Sequence, residues 1–354
     1  MRILLRFLPI TLSLIFLSSS VFAQDTFTAI DEKYSVKDVD DIDLNVLDAH
    51  VTVNKISGSS ISIQIFINGR DSDAARDYFE SQNFSVELNN RSLIIESNAN
   101  KFVTISYDWD NSPDIQVIIG LPPNIPAKLR TSDGDINVDE LTAGVEIKTS
   151  DGDISLGSVS GDRIAIQTSD GDINAQSLQS PAIKIQTSDG DLYLETVTGE
   201  STQLQTSDGD ILVKSVTGKM NARTSDGDLA IGKLISAGAQ LNTSDGDIIV
   251  DEVSGSVSIR SGDGDVVLGI IEPEEVSVSV NDGDVVLAMP QTISATLDID
   301  GADVSMDEFD QFIGTISDTK INGDLNGGGA MIRVRTSDGE VAIVDENEMP
   351  SILF

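Results

Sequence analysis

The sequence predicts an all-β protein: a parallel β-solenoid (β-helix) of 18-19-residue coils with an irregular N-terminal cap containing one short helix. Three observations predict it. The motif Thr131-Ser132-Asp133-Gly134-Asp135 returns with its glycine at Gly152, Gly171, Gly190, Gly209, Gly227, Gly246, Gly264 and Gly283, in steps of 18 or 19 residues. A short fixed period is the mark of stacked units. Apolar residues recur five and seven positions before each glycine and two, four and seven after it, as in Val145, Ile147, Ile154, Leu156 and Val159. This alternation on both sides of a tight turn gives two strands per repeat with one face inward. Inward positions also keep the same residue type from repeat to repeat, which parallel in-register stacking demands and a meander of hairpins does not.

The first 23 residues read as a secretory leader, with Arg2 and Arg6, an apolar core from Ile10 to Leu17 and Val21-Phe22-Ala23 before Gln24. That core is too short to span a membrane, and no second apolar run follows it. The chain contains no cysteine, so disulfides and thiol chemistry are excluded and an exported fold must stand on packing. Loss of the leader takes the formal net charge from −37 to −39. Such a chain repels nucleic acid and anionic lipid and favours cations or basic partners. The expected locations are periplasm, outer surface or medium.

Residues 24–125 form the expected N-terminal cap, and residues 126–354 the repeats with degenerate last coils. Short alternations at 42–46, 51–53 and 61–65 read as strands, as do 84–88, 93–96, 102–107 and 115–119. Asp48-Ala49-His50-Val51 looks like a degenerate first copy of the motif. The run from Asp71 to Glu80 carries cap residues ahead of helix formers and predicts the helix. A looser second corner falls about nine residues after each motif, at Ser160-Gly161, Thr198-Gly199, Thr217-Gly218 and Ser254-Gly255, and takes up the variation in period. After Gly283 the pattern decays. Gly301 keeps a step of 18, Met306 to Ile313 predicts a turn or helix, and Asn326-Gly327-Gly328-Gly329 breaks the chain before a last strand pair carrying the frayed copy Thr336-Ser337-Asp338-Gly339-Glu340.

The segment from Leu121-Pro122-Pro123 through Asp135-Ile136, followed by spaced Ser-Asp-Gly-Asp-Ile copies, resembles the exported "putative adhesin" β-strand-repeat family, a domain of unknown function. The resemblance covers roughly residues 40 to 345. It implies the solenoid fold and an adhesive role.

Asp-Gly is a turn signal, because glycine accepts positive φ and aspartate bonds nearby backbone. That explains one aspartate per turn and leaves the second to be explained. Stacking lines the first aspartates into one column, Asp133, Asp151, Asp170, Asp189, Asp208, Asp226, Asp245, Asp263 and Asp282. The second column is Asp135, Asp153, Asp172, Asp191, Asp210, Asp228, Asp247, Asp265 and Asp284. Like charges ~4.8 Å apart cost about 0.9 kcal/mol per pair even in water, or roughly 7 kcal/mol per column before screening. Three things offset such a cost: backbone N–H donors in the turns, divalent cations held between turns, or raised aspartate pKa values. No cofactor is required by the first; calcium is the cation that oxygen-rich sites favour and makes these eighteen aspartates the candidate metal ligands.

A catalytic site is a local exception, and the repeats contain none, so the chain reads as no enzyme; a polysaccharide-active β-helix with paired carboxylates is the least favoured alternative. The single histidine, His50, lies in the irregular cap and reads as structural or solvated rather than catalytic. Arg130, Lys148, Arg223 and Arg260 read as countercharges to the columns. Threonines Thr131, Thr149, Thr168, Thr187, Thr206, Thr224 and Thr243 share the inward parity, which opposes an ice-binding face. Leu212, Ala230, Ile249, Val267 and Val286 fall at an outward position, so they mark an apolar partner surface. Its expected occupant is residues 303–335 or a second copy of the chain. Tyr107-Asp108-Trp109-Asp110 holds the only tryptophan and offers a sugar-stacking or cap-packing group, and the chain ends in Phe354. Partners are an unspecified protein or glycan at the cell envelope.

Overall fold

The computed structural model describes residues 25–69, 72–98 and 114–348. The leader over 1–23, the strand expected at 102–107, the Tyr107–Asp110 segment and Phe354 lie outside the described residues.

The architecture is all-β and β-solenoid-like. Strands pair in parallel with the strand 18 or 19 residues further on. Ile154–Ser160 lies between Ile136–Leu141 and Ile173–Gln179, with Ile154 opposite both Ile136 and Ile173. The second sheet repeats this through Val145–Lys148, Arg163–Gln167 and Ala182–Gln186. From Leu192 onward the two strands of a coil run continuously through the second corner, as in Ile211–Arg223 and Ile248–Ser261. The variation in period sits at that corner. Gly199 faces Gly218, whereas Thr202 faces Met220, so the offset drops by one between them.

Alternation supplies the core. The residue two places after the motif glycine runs Ile136, Ile154, Ile173, Leu192, Ile211, Leu229, Ile248, Val266 and Val285, and each is fully buried. Each such side chain contributes about 1.5–3 kcal/mol through removal from water, and its β-branched or leucine shape fills the narrow space between the sheets.

Both ends of the stack are built out of sequence order. At the first end, Asp41–Asn45 lies between Ser92–Glu96 and Ala127–Arg130, and Ala49–Lys55 lies between Asp114–Leu121 and Ile136–Leu141. The motif-like Asp48–Val53 therefore does act as a coil, with Val51 opposite Ile136. Beyond it, Ser60–Gly69 runs antiparallel to Asp114–Leu121, and Asp25–Ser35 runs antiparallel to Ser60–Gly69. The helix Ser72–Gln82 packs on these two strands. Its Phe79 stacks on Phe84 at 5.1 Å between centroids, and Arg76 lies over the Phe27 ring at 4.3 Å. The strand Asp25–Ser35 escapes sequence reading because it is an edge strand: a register shift between Thr28 and Ile30 breaks its period, and Asp31, Glu32 and Lys33 face water.

At the other end the sequential expectation is overturned. Gly301 does not stack on Gly283; Gly339 does. Ala330–Thr336 lies between Val276–Val280 and Ala295–Asp300, and Glu340–Asp345 lies between Val285–Met289 and Asp303–Met306. The frayed final motif is a full member of the stack, inserted between two coils that are consecutive in sequence. The segment 306–313, expected to be a turn or helix, turns at Asp310 and Gln311 and then enters the strand Phe312–Ser317, which pairs only with Lys320–Leu325 among the described strands.

Candidate functional site

The two aspartate columns share a turn and have different chemistry. Every member of the first column, from Asp133 to Asp282, is exposed. Its backbone N–H points along the stack: Asp170 donates to Ser150 O at 2.9 Å and Asp189 to Ser169 O at 3.0 Å. The carboxylates themselves face solvent.

The second column forms a ladder. Oδ1 of Asp135 accepts the backbone N–H of Asp153 at 3.0 Å, and Asp153 accepts that of Asp172 at 2.9 Å. The pattern continues through Asp191, Asp210, Asp228, Asp247, Asp265 and Asp284 at 2.7–2.8 Å. Asp284 then accepts the N–H of Glu340 at 2.8 Å. A hydrogen bond to a charged acceptor is worth about 1.5–3 kcal/mol, which exceeds the ~0.9 kcal/mol repulsion between neighbouring rungs. Each second aspartate from Asp135 to Asp284 thus has a backbone partner in the neighbouring coil.

Burial acts alongside. Asp210, Asp228 and Asp247 are half-buried, and desolvation pushes their carboxyls above the usual range. The N–H from the next coil pulls the other way, and the next aspartate's charge adds to the rise. Burial likewise raises the phenol of Tyr193, whose hydroxyl donates to Asp191 Oδ2 at 2.8 Å.

The glycines are there for a different reason than the one expected. None of the nine motif glycines has positive φ; among glycines that conformation belongs to second-corner Gly161, Gly218 and Gly255, with Gly144, Gly238, Gly327 and Gly328. A Cβ built on Gly152, Gly171, Gly227 or Gly264 would overlap the carbonyl oxygen of the glycine one coil earlier. The motif needs glycine because successive turns touch backbone to backbone.

Threonine completes the turn from inside. Thr168 is buried, donates from Oγ1 to Ser150 O at 3.0 Å and accepts the Gly171 N–H at 3.3 Å. Thr149, Thr187, Thr206, Thr224 and Thr243 repeat both bonds, Thr131 donates to the carbonyls of Leu47 and Ala49, and Ser261 takes the position beneath Gly264. The hydroxyls are engaged inward, in accord with parity.

His50 is the residue whose role sequence reasoning missed. It occupies the second-aspartate position of the first motif-like coil, and its Nδ1 accepts the Asp135 N–H at 3.1 Å. Nε2 lies 3.5 Å from Asp114 Oδ1. Histidine thus heads the ladder, a role signalled by the alignment of Asp48-Ala49-His50 with Asp133-Gly134-Asp135.

The expected countercharges do not sit on the columns. Arg130 pairs with Asp43 at 3.0 Å and Glu146 at 3.1 Å, and Lys148, Arg223 and Arg260 form no ion pair with a column aspartate among the described residues. Their side chains project from strand ends, and the turn amides already serve the ladder. The apolar stripe is also less bare than parity implies. Ala230, Ile249 and Val267 are buried, Leu212 and Val286 half-buried, and the three buried ones stand apart from the contiguous core. Residues 303–335 do not lie over the stripe; their strands extend the stack along its axis. Among the described residues no three or more histidine or acidic side chains gather closely enough to hold a metal ion.

Comparison with known proteins places this geometry in a family. No curated protein matches the chain. A solved structure from Bacteroides fragilis, described as a putative adhesin, aligns at 15% identity over 75% of this chain and 98% of its own, with a TM-score of 0.37. One from Parabacteroides distasonis, described as a putative lipid binding protein, aligns at 16% identity over 73% and 97%, also with a TM-score of 0.37. A second from Parabacteroides distasonis, described as a putative adhesin, aligns at 10% identity over 91% and 98%, with a TM-score of 0.33. The family described as Toastrack DUF4097 matches residues 39–232 and again 216–344, and the chain belongs to it.

Proposed function

We propose that the protein is a non-catalytic, exported, adhesin-like module that presents an acidic flank to a basic partner at the cell envelope. The observation that carries this reading is the uniformity of the exposed first column, one carboxylate per coil from Asp133 to Asp282. A hydrolytic centre is a single local departure from the repeat, with its groups placed around one reacting atom. Here the same pair recurs on nine coils, and the departures at the ladder's two ends, His50 and Glu340, continue its hydrogen bonding. In this reading residues 1–23 are a cleaved leader, 24–125 hold the terminal unit, and 126–354 are the repeats, with strands 41–55 joining the stack.

The reading calls on no cation, and the backbone N–H bonds to each second-column carboxylate support it. Thermal unfolding with added calcium and with chelator checks this; a midpoint that rises with calcium and falls with chelator replaces it by a calcium-dependent module. Binding is tested on a glycan array and on immobilised cationic polymer, alongside reducing-sugar release. The expected result is salt-sensitive retention on cationic surfaces, reduced by joint substitution of Asp151→Asn, Asp170→Asn and Asp189→Asn, with no sugar released. Sugar release, or retention unchanged by the triple substitution, sinks the reading.

A further inference from the structure

The coil formed by Ala330–Thr336 and Glu340–Asp345 fills a slot whose two walls, 276–289 and 295–306, are joined by residues 290–294 alone. The walls are complete in sequence before the filler is made. Until the filler arrives, each wall presents an unpaired strand edge toward the other, and such edges capture strands.

We propose that this slot is a strand-binding site for the C-terminal segment 330–345, which the chain fills with its own copy and which takes the same segment from a second copy of the chain, giving a strand-exchanged dimer. Three observations carry it. The bonds across the slot join backbone or repeat-motif groups: Ser337 N–H to Asn281 O at 3.0 Å, Thr336 Oγ1 to Gly283 O at 3.2 Å, Glu340 N–H to Asp284 Oδ1 at 2.8 Å and Ala302 N–H to Gly339 O at 3.0 Å. They are blind to which molecule supplies the segment. Charge makes the slot selective for this segment over any other coil. Arg333 and Arg335 are the only arginines in the sequence one residue apart, in a chain of net charge −37. Both bond Asp298, at 3.2 and 2.7 Å, and Arg335 lies 3.7 Å from Asp300.

The connection to the filler is also suited to exchange. Asn326, Gly327 and Gly328 all have positive φ, in a turn that carries the chain from Lys320–Leu325 across to the far side of Ala295–Asp300. A Cβ built on Gly329 would overlap Ser294 O, so the return is tight. Tight hinges of this kind favour exchange when the hinge is shortened, because the filler then reaches only a neighbour's slot.

The test uses full-length chains with reciprocal charge reversal. One variant carries Asp298→Arg in the slot; the other carries Arg333→Asp and Arg335→Asp in the filler. Each alone sets like charges together in its own slot. Refolded as a mixture, each slot meets a matching filler only by exchange, so a one-to-one heterodimer forms at about tenfold or more the dimer level of either variant alone, by native mass spectrometry. Rescue of folding by mixing, where a single variant does not fold, is the same result. A mixture that yields only monomers, or no folded protein, overturns the proposal. Deletion of Gly327–Gly329 in the otherwise unaltered chain is the second arm. Dimers are expected at micromolar concentration, and a folded monomer there counts against exchange.

Discussion

Glu340 donates its backbone N–H to Oδ1 of Asp284 at 2.8 Å. The two residues lie far apart in the chain, yet the bond is the same one that Asp153 makes to Asp135 in the adjoining coils. Position in the stack, rather than position in the sequence, determines the partner. The ladder is thus a property of the rod: any residue at the position after the turn donates its backbone N–H to the side chain of the coil beneath.

That bond separates charge from hydrogen bonding at each rung. Asp228 accepts the Asp247 N–H at 2.8 Å and is half-buried, with its carboxyl pushed up by desolvation. Asp228→Asn keeps an acceptor and removes a charge whose burial is unfavourable, so the urea midpoint should hold or rise. Asp228→Ala leaves the Asp247 amide without its partner and should cost about 1–2 kcal/mol. Equal losses for the two variants would mean that the carboxylate charge itself stabilises the turn.

The same burial gives an unusual pH profile. Folded-state values of Asp210, Asp228 and Asp247 lie above the unfolded value of 3.8, so the folded state takes up these protons first as pH falls. Their contribution is fully present below the unfolded value and is lost as pH rises through the folded ones. Asp298 acts oppositely: its hydrogen bond from Arg335 holds it below 3.8, and its contribution is lost as pH falls through that lower value. The melting temperature should therefore rise on going from neutral pH toward the ordinary carboxylate range and drop beneath it. Asp210→Asn, Asp228→Asn and Asp247→Asn together should flatten the rise. A melting temperature that only declines below pH 7 contradicts the assignment.

Much of the fold is legible because parallel stacking copies itself into sequence. Ile136, Ile154 and Ile173 recur at one-coil spacing since each lies opposite the next. The ends are not legible, because insertion leaves no local mark: nothing in Asp300-Gly301-Ala302 tells that its place beside Gly283 goes to Gly339. The ladder was half-readable. Backbone donors stood among the explanations for the second aspartate, but their direction, coil to coil rather than within the turn, depends on the stack. His50 was hidden by its residue type, since an imidazole nitrogen accepting the Asp135 amide replaces a carboxylate without resembling one. Ala230, Ile249 and Val267 show the limit of parity, which assigns a face and not an exposure.

Glycine at the turn should be among the least replaceable residues. A Cβ on Gly227 would overlap the Gly209 carbonyl oxygen, and both groups are backbone in a hydrogen-bonded stack that has little room to shift. Gly227→Ala is expected to destabilise by about 3 kcal/mol or more, the upper range for overpacking. Gly238 has open space at its Cβ, so Gly238→Ala, limited to backbone strain from its φ of 156°, should cost far less. Comparable losses at the two sites, by urea unfolding, would refute steric contact between turns as the reason for the motif glycine.

Arg335 ties the inserted coil to its outer wall. It donates from Nη2 to Asp298 Oδ2 at 2.7 Å and from Nη1 to the Asp298 carbonyl at 2.7 Å, while Arg333 reaches the same carboxylate. Partial exposure weakens the ion pair, so Arg335→Ala should cost only about 1 kcal/mol at neutral pH. The loss has a pH signature: the depressed carboxyl of Asp298 returns toward its ordinary value, and the gap between variant and parent closes as pH falls through the parent's lowered value below 3.8. Hydrogen exchange locates the effect. Amides of 330–345 and of the wall strand Ala295–Asp300 should lose protection, while those of Ile154–Ser160, many coils away, keep theirs. Uniform loss of protection along the whole rod would show instead that the end coil and the middle coils unfold as one unit.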